Sequence, residues 1–491
     1  MDVQQELFSQ QELFIANRWV KPSAGRRIEV ISPSTEEVIG SVPVAEAREI
    51  NEAVAAARSA FDSGPWPRMT VAERAEALTR VVDAWEPHAN KAVEVQIAEM
   101  GGPRKFLEAA THILRYWLAN EVREAGNINF REVRQGQVGD VVVLREPIGV
   151  VAAIIPWNSP IQQAWSKLVS SLLMGCPIIL KTAPESPLSM ELLANAFEAA
   201  DLPPGTVSLI SGGGDTGEYL VRHPDVDKVT FTGSTATGGK IAAICGELIR
   251  PVNLELGGKS AAILLDDDIG NYLPSLIANS LSNSGQICIS TNRVLVPEAH
   301  YDSIVDHLVD YVASLKVGSP YDPDTDIGPL VAERQRSRVE SYIASGKEQG
   351  AKIVLGGGRP TDLRGWYVEP TIFVDVDNKM RIAQEEIFGP VLSVIKYRDV
   401  DNAVAIANDS EYGLYGAVFS RDPEYALQVA SRVRTGTLAV NDGPPIGGGG
   451  PFGGYKRSGL GRELSHEGLE SHLETKSIAL PPSVKAPEEQ A

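Results

Sequence analysis

Of the three cysteines in this 491-residue chain, Cys288 stands in the run Gly285-Gln286-Ile287-Cys288, where a glycine lets neighbouring groups come close. By residue type alone a solitary cysteine is more often a small buried hydrophobe than a nucleophile. To work as a nucleophile its thiol must become a thiolate. Its ordinary pKa is about 8.5, so the site must lower that value or supply a base. Three other residues carry functional groups in glycine- and proline-rich surroundings. Glu255 precedes Gly257 and Gly258 near a strand end, and Asn158 lies between Pro156 and Pro160. Glu386 comes just before Phe388-Gly389-Pro390. Their plainest readings are a solvated carboxylate, a turn and an exposed loop acid.

Two segments have the residue types that recognise phosphate or sugar. Strand Lys228-Val229-Thr230-Phe231-Thr232 runs into Gly233, and Ser234 or Thr235 can cap the helix that follows. Free N–H groups at such a helix start suit a phosphate, although an ordinary N-cap looks the same in sequence. Lys181 ends the strand Pro177-Ile178-Ile179-Leu180-Lys181 and could bond a ribose hydroxyl or a phosphate. The run from Gly212 to Gly217 matches GxGxxG, but it follows the third strand of its series. The dinucleotide fingerprint belongs on the first βα turn, so this run reads as a glycine-rich turn whose composition suits a loop beside a ligand. The seven histidines offer no metal-ligand spacing, and no metal is expected.

These residues need a frame. Ile50, Val54, Ala57 and Phe61 recur at helical spacing, as do Leu78, Val82, Trp85, Val93 and Ile97. The chain up to about Arg123 therefore reads as mainly helical, with Pro87 ending or kinking one helix. The stretch from Gly136 to Pro156 reads as two strands separated at Pro147. From Val150 to Leu256 short apolar strands alternate with helices at about 162–174, 187–200, 216–222 and 235–245, which implies a parallel sheet covered on both faces. Alternation resumes after Gly257 and continues to Val440. The expected fold is α/β: a Rossmann-like nucleotide-binding domain (1–124 and 148–257) and a second α/β catalytic domain (258–460). A small strand arm and tail (125–147 and 461–491) complete it.

Composition narrows the partners. The hydrophobic content is 43% with 22% charged residues, as in globular proteins, and no apolar run approaches the roughly 20 residues of a membrane span. A net charge of −19 speaks against nucleic acid. The polar, acidic start Met1–Gln10 lacks the pattern of a secretion signal, and the cysteines are few and far apart. A reduced, cytoplasmic enzyme is expected.

Seven segments occur in one order: IIPWNSP, KTAPESP, FTGSTATG, LELGGKS, GQIC, EEIFGPV and PFGGYKRSGLGREL. Together they resemble the aldehyde dehydrogenase superfamily, over about Phe14 to Ile478. The resemblance implies a non-acylating, NAD(P)-dependent oxidation of an aldehyde to its acid, with NAD preferred and NADP possible. It also implies a strand arm, near 136–146 and 473–480, that serves assembly into a homodimer or homotetramer. It makes Cys288 similar to the family nucleophile, Glu255 to the general base and Asn158 to the oxyanion donor. Lys181 would hold the adenosine ribose, Glu386 the nicotinamide ribose, and Ser234 and Trp157 the pyrophosphate. Gly233, Phe388 and Glu185 join the cofactor set.

That chemistry needs few groups. Thiolate attack on an aldehyde gives a tetrahedral thiohemiacetal, whose oxyanion expels hydride, and water must then cleave the thioester. A coenzyme A-acylating relative would release the thioester to a thiol, and such relatives typically lack the base. A catalytically silent binding protein on the same fold would be expected to lack Cys288 or Asn158. Esterase action by the same thiol is a conceivable side activity. Where many relatives carry a ribose-binding glutamate, this chain has Pro184, with Glu185 next. Positions often filled by aromatic residues near the nucleophile hold Ser159 and Ser282, and the loop before PFGG reads NDGPPIGGGG. A wide mouth suited to medium or bulky apolar aldehydes is expected, unless Trp165 or Ile446 fills it.

Overall fold

Strands of a parallel sheet covered on both faces are buried along their whole length, and here every residue of Val151–Ile154, Ile178–Thr182, Val207–Ser211 and Lys228–Thr232 is buried. In the computed structural model, which describes residues 8–443 and 449–486, these strands form the middle of an eight-stranded sheet. Its order is Gly459–Leu460, Val252–Glu255, Lys228–Thr232, Val151–Ile154, Ile178–Thr182, Val207–Ser211, Leu13–Ile15, Arg18–Val20. The five central strands are parallel, and the remaining strands join antiparallel.

The winding decides where a ligand can sit. From Val151–Ile154 the chain steps outward through Ile178–Thr182 to Val207–Ser211. It then returns to lay Lys228–Thr232 on the other side of the first strand, followed by Val252–Glu255. This reversal opens a crevice at the carboxyl ends of the two central strands. Pairing of Ile154 with Lys181, and of Thr232 with Glu255, brings both charged residues to that end.

A second sheet has seven strands, all parallel except the edge strand Lys352–Leu355. Ala261–Leu264 lies near its middle, between Arg293–Pro297 and Tyr415–Phe419. The segments holding Cys288 and Glu386 lead into the amino ends of Arg293–Pro297 and Val391–Tyr397. The amino ends of this sheet therefore meet the carboxyl ends of the first, and residues 256–260 cross between them. A third sheet, Leu473–Ala479, Asp140–Pro147, Arg131–Gln135, is an antiparallel arm, with Pro147 ending its middle strand. The architecture is the α/β one expected, with a Rossmann-like sheet, a second α/β body and a strand arm.

Two local expectations change. The first part of the chain is not mainly helical throughout: before Ala47 the described residues form strands, among them Leu13–Ile15, Arg27–Ile31 and Val38–Pro43. Three-residue strands at a sheet edge are too short to display a period. Pro87 does not end its helix, which runs unbroken over Val71–Met100. Pro87, Asp83 and Glu86 are exposed, so water can meet the carbonyl that the missing N–H leaves free. Val81, Val82, Trp85, Ala89 and Val93 are buried along the same helix, and burying such side chains at about 1.5–3 kcal/mol each outweighs one lost bond. Among the described residues no helix is long and apolar enough to cross a membrane, and no cluster of metal-ligating side chains occurs.

Candidate active site

The strand Val151–Ile154 leads through Pro156 into Asn158, which is buried at the start of the helix Pro160–Leu173. One N–H of the Asn158 amide donates to the Gln286 carbonyl at 2.9 Å, and the Asn158 carbonyl accepts from the Asn283 amide at 2.9 Å. An asparagine amide has two N–H donors, so one fixes the group and the other remains for a ligand. The Gln286 side chain is fully buried and donates to the Asn283 carbonyl at 3.1 Å, while its oxygen accepts from Val331 N–H at 3.0 Å. Sequence reasoning missed this glutamine as the hub of the loop, although it sits inside the GQIC segment.

Cys288 leaves that hub. The three residues Asn283, Ser284 and Gly285 have φ of 51°, 58° and 71°, a left-handed turn that side chains disfavour. Ser284 anchors it through its hydroxyl, which donates to the Gly328 carbonyl at 2.9 Å and accepts from Gly328 N–H at 3.0 Å. A Cβ on Gly285 would come within 2.3 Å of the Gly389 carbonyl oxygen, so this glycine permits the close approach expected of it. Cys288 itself is partly exposed to a cavity and packs beside Leu414, Tyr415 and Phe452. Burial, then the carboxylates of Glu386 and Glu255, push its thiol up to about 12. The thiolate therefore has to be made by proton transfer to a base or by charge brought in with a ligand.

Glu255 ends its strand on the same cavity, and neither carboxylate oxygen has a hydrogen-bond partner. Burial and the neighbouring Glu463 hold its carboxyl well above the usual range, against the pull of Lys167 and Arg462. Lys167 and Glu463 form a buried ion pair behind it, with Lys167 donating to Thr232 Oγ1 at 2.7 Å and Glu463 accepting from Thr230 Oγ1 at 3.1 Å. This pair also escaped the sequence reading, because its members are 296 residues apart.

Asn158, Glu255 and Cys288 share a cavity of about 280 Å³ with Glu386 and Phe388. Glu386 accepts the Gly258 N–H at 3.1 Å, and a Cβ on Gly257 would fall 2.4 Å from its carboxylate. Burial raises the Glu386 carboxyl to about 7. Phe388 meets Trp157 edge to face at 5.4 Å. The cavity continues, past Trp157, Gly233 and Ser234, into a cleft of about 820 Å³ that holds Lys181 and Pro184. Ser234 caps the helix Thr235–Glu247 by accepting from Thr237 N–H. Lys181 donates to the Thr182 and Gly212 carbonyls at 2.7 and 2.9 Å, and burial lowers its ammonium to about 8. Gly213, Gly214 and Gly217 line the cleft, so the glycine-rich turn borders that space. Glu185 lines neither cavity; it is ion-paired with Arg334, which lines both. Arg334, Gln335 and Arg338 come from the helix Glu333–Glu348, whose charged sequence gave no hint of a site.

Residues 19–478 match the profile described as the aldehyde dehydrogenase family. The chain belongs to the aldehyde dehydrogenase family. It is 42% identical to a geranial dehydrogenase of Castellaniella defragrans over 477 residues, covering 96% of this chain and 98% of that one. A crystal structure of a Mycobacterium tuberculosis aldehyde dehydrogenase complexed with NAD+ superposes with a TM-score of 0.95 at 43% identity, covering 98% of this chain and all of that one. A Pseudomonas syringae aldehyde dehydrogenase C variant in complex with NAD+ and octanal matches with a TM-score of 0.91 at 37% identity, covering 95% and 96% of the two chains. For this aldehyde dehydrogenase, Ser159 is buried with its hydroxyl on Gln162 at 3.0 Å, and Ser282 is half-buried. Trp165 is fully buried, with its indole N–H on the Leu114 carbonyl at 3.0 Å, and lines neither cavity. Ile446 lies outside the described residues.

Proposed function

We propose that this aldehyde dehydrogenase oxidises medium or bulky apolar aldehydes to free acids with NAD, through a thioester on Cys288. The observation that carries the reading is convergence: Asn158, Glu255 and Cys288, from separate segments and two sheets, line one cavity that opens into a long cleft. The cleft suits a dinucleotide. Its volume is in the range of cofactor sites, a helix start opens into it, and the buried Lys181 ammonium stands at its edge. Lys181 would hold the adenosine ribose, Ser234, Gly233 and Trp157 the diphosphate, and Glu386 and Phe388 the nicotinamide half. When bound, the nicotinamide supplies the hydride acceptor.

The protein's own groups do the rest. The Cys288 thiolate attacks the aldehyde carbon, forming the C–S bond. The free N–H of Asn158 and the Cys288 backbone N–H receive the oxyanion. Glu255, with no partner of its own, takes a proton from the water that cleaves the thioester, so release is hydrolytic and coenzyme A is not required. Residues 1–124 and 148–257 would form the nucleotide-binding domain, and 258–460 the catalytic one. Residues 125–147 and 461–491 would be the arm through which a homodimer or homotetramer assembles, and the enzyme would work in the cytoplasm.

Ser159 and Ser282 line neither cavity, so the apolar-substrate reading is supported not by them but by likeness to a geranial dehydrogenase and to a relative bound to octanal. Each methylene buried adds roughly 0.8 kcal/mol, about a factor of four in affinity. The expected result is a higher kcat/KM for octanal and a branched ten-carbon aldehyde than for acetaldehyde, read from NADH formation. Equal values, or a preference for acetaldehyde, defeat this part.

The cofactor preference has its own test. Pro184 puts no carboxylate at the usual ribose position, and Glu185 is turned to Arg334. That arrangement admits a 2′-phosphate, so measurable NADP activity is expected, while NAD is expected to be preferred as the cofactor found bound in the two solved relatives. A higher kcat/KM with NADP would overturn the preference.

A further inference from the structure

Arg334 is the one cationic side chain, among the described residues, that lines both cavities. It shares that double position with Trp157, Gly233 and Ser234, so it stands where the small cavity passes into the long cleft. The helix Thr235–Glu247 begins at the same junction, and the first N–H groups of any helix lack intrahelical acceptors. Two sources of positive potential thus converge there, in a protein whose net charge is −19. Arg334 is not committed to the protein interior. It is exposed, it sits in the first turn of Glu333–Glu348, and it is ion-paired with Glu185 in the loop after the strand Ile178–Thr182. That ion pair ties the helix Glu333–Glu348 to the loop after Lys181, joining the second body to the nucleotide sheet.

We infer that Arg334 binds the diphosphate of the dinucleotide and that Glu185 competes with the cofactor for it. This rests on the proposed dinucleotide cleft and adds to it a residue from the second domain. A guanidinium can bond two phosphate oxygens at once, whereas the exposed Arg334 guanidinium makes a water-screened, weak pair with the half-buried Glu185, so exchange of partners favours the phosphate. Glu185 then acts as a positioning residue that keeps the guanidinium at the junction before the cofactor arrives, at the expense of some affinity.

The experiment is equilibrium binding of NADH, NADPH and adenosine, by quenching of tryptophan fluorescence or calorimetry, to the full-length wild type, Arg334→Gln and Glu185→Gln. Arg334→Gln is expected to weaken NADH and NADPH by the same factor, about ten-fold, and to leave adenosine unchanged. Glu185→Gln is expected to tighten both dinucleotides, a gain that a folding defect does not produce. Unchanged dinucleotide binding in Arg334→Gln overturns the assignment, as does a loss confined to NADPH, which would put the guanidinium at the ribose. Weaker dinucleotide binding in Glu185→Gln overturns the competition. Wild type that oxidises aldehydes with NAD while Arg334→Gln binds normally leaves the dinucleotide cleft standing and removes Arg334 alone.

Discussion

Alanine in place of Cys288 is expected to lower aldehyde oxidation by at least roughly three orders of magnitude while NADH binding stays near that of wild type. The thiol is proposed to make the covalent bond, and no other nucleophilic sulfur is near: Cys176 and Cys245 are buried in hydrophobic clusters that do not include Cys288. The side chain is small and only partly exposed, so alanine leaves the surrounding Leu414 and Tyr415 in place. Because burial and two carboxylates raise the thiol to about 12, its thiolate fraction grows with pH. Alkylation of wild-type Cys288 by iodoacetamide should therefore accelerate as pH rises across the neutral range and beyond. Stopped-flow NADH formation and fluorescence titration read the two halves of the variant's phenotype. Turnover above a few per cent of wild type would sink the nucleophile assignment.

Glutamine at Glu255 should separate two steps that wild type runs together. A first turnover of NADH should survive, since hydride leaves before water attacks, and the steady rate should then fall by about 10²- to 10⁴-fold. The sign of the pH effect follows from the raised carboxyl. Only the ionised form accepts a proton, so wild-type deacylation should gain as pH rises through that elevated value, and the glutamine variant should lose this dependence. Rapid-quench detection of acyl-enzyme after the burst checks the order of events. An unchanged steady rate would mean that another group activates the water. A wild type that turns over only with added coenzyme A would favour the acylating alternative.

The elements were legible where they are long and fully covered. The strand Val151–Ile154 is buried throughout and reads directly as an apolar run. The edge strands Leu13–Ile15 and Arg18–Val20 were not, being too short for a period, and the unbroken helix through Pro87 shows packing overriding a local breaker. Cys288, Glu255 and Asn158 were found through ordered motifs, not through residue type, which favours a bland reading of each. What no motif carried is the long-range part. Lys167 meets Glu463, Glu185 meets Arg334, and Gln286 reaches Val331. Such pairings depend on how segments distant in the chain come together, and neither spacing nor composition encodes that.

The unpartnered carboxyl of Glu255 has a consequence for engineering. A buried polar group left without a hydrogen bond costs a fold about 1–3 kcal/mol, more when charged. In the unfolded chain the same carboxyl ionises in its ordinary range, so as pH climbs toward its raised native value the unfolded state gains and the native state does not. A substitution that removes the charge escapes this penalty, increasingly so at alkaline pH. A library of this enzyme ranked only by melting temperature will therefore favour replacements at Glu255, and with them proteins that endure heat but stall as acyl-enzymes. Selection for robustness here has to be coupled to repeated turnover, because the residue that weakens the scaffold is the one proposed to free the product.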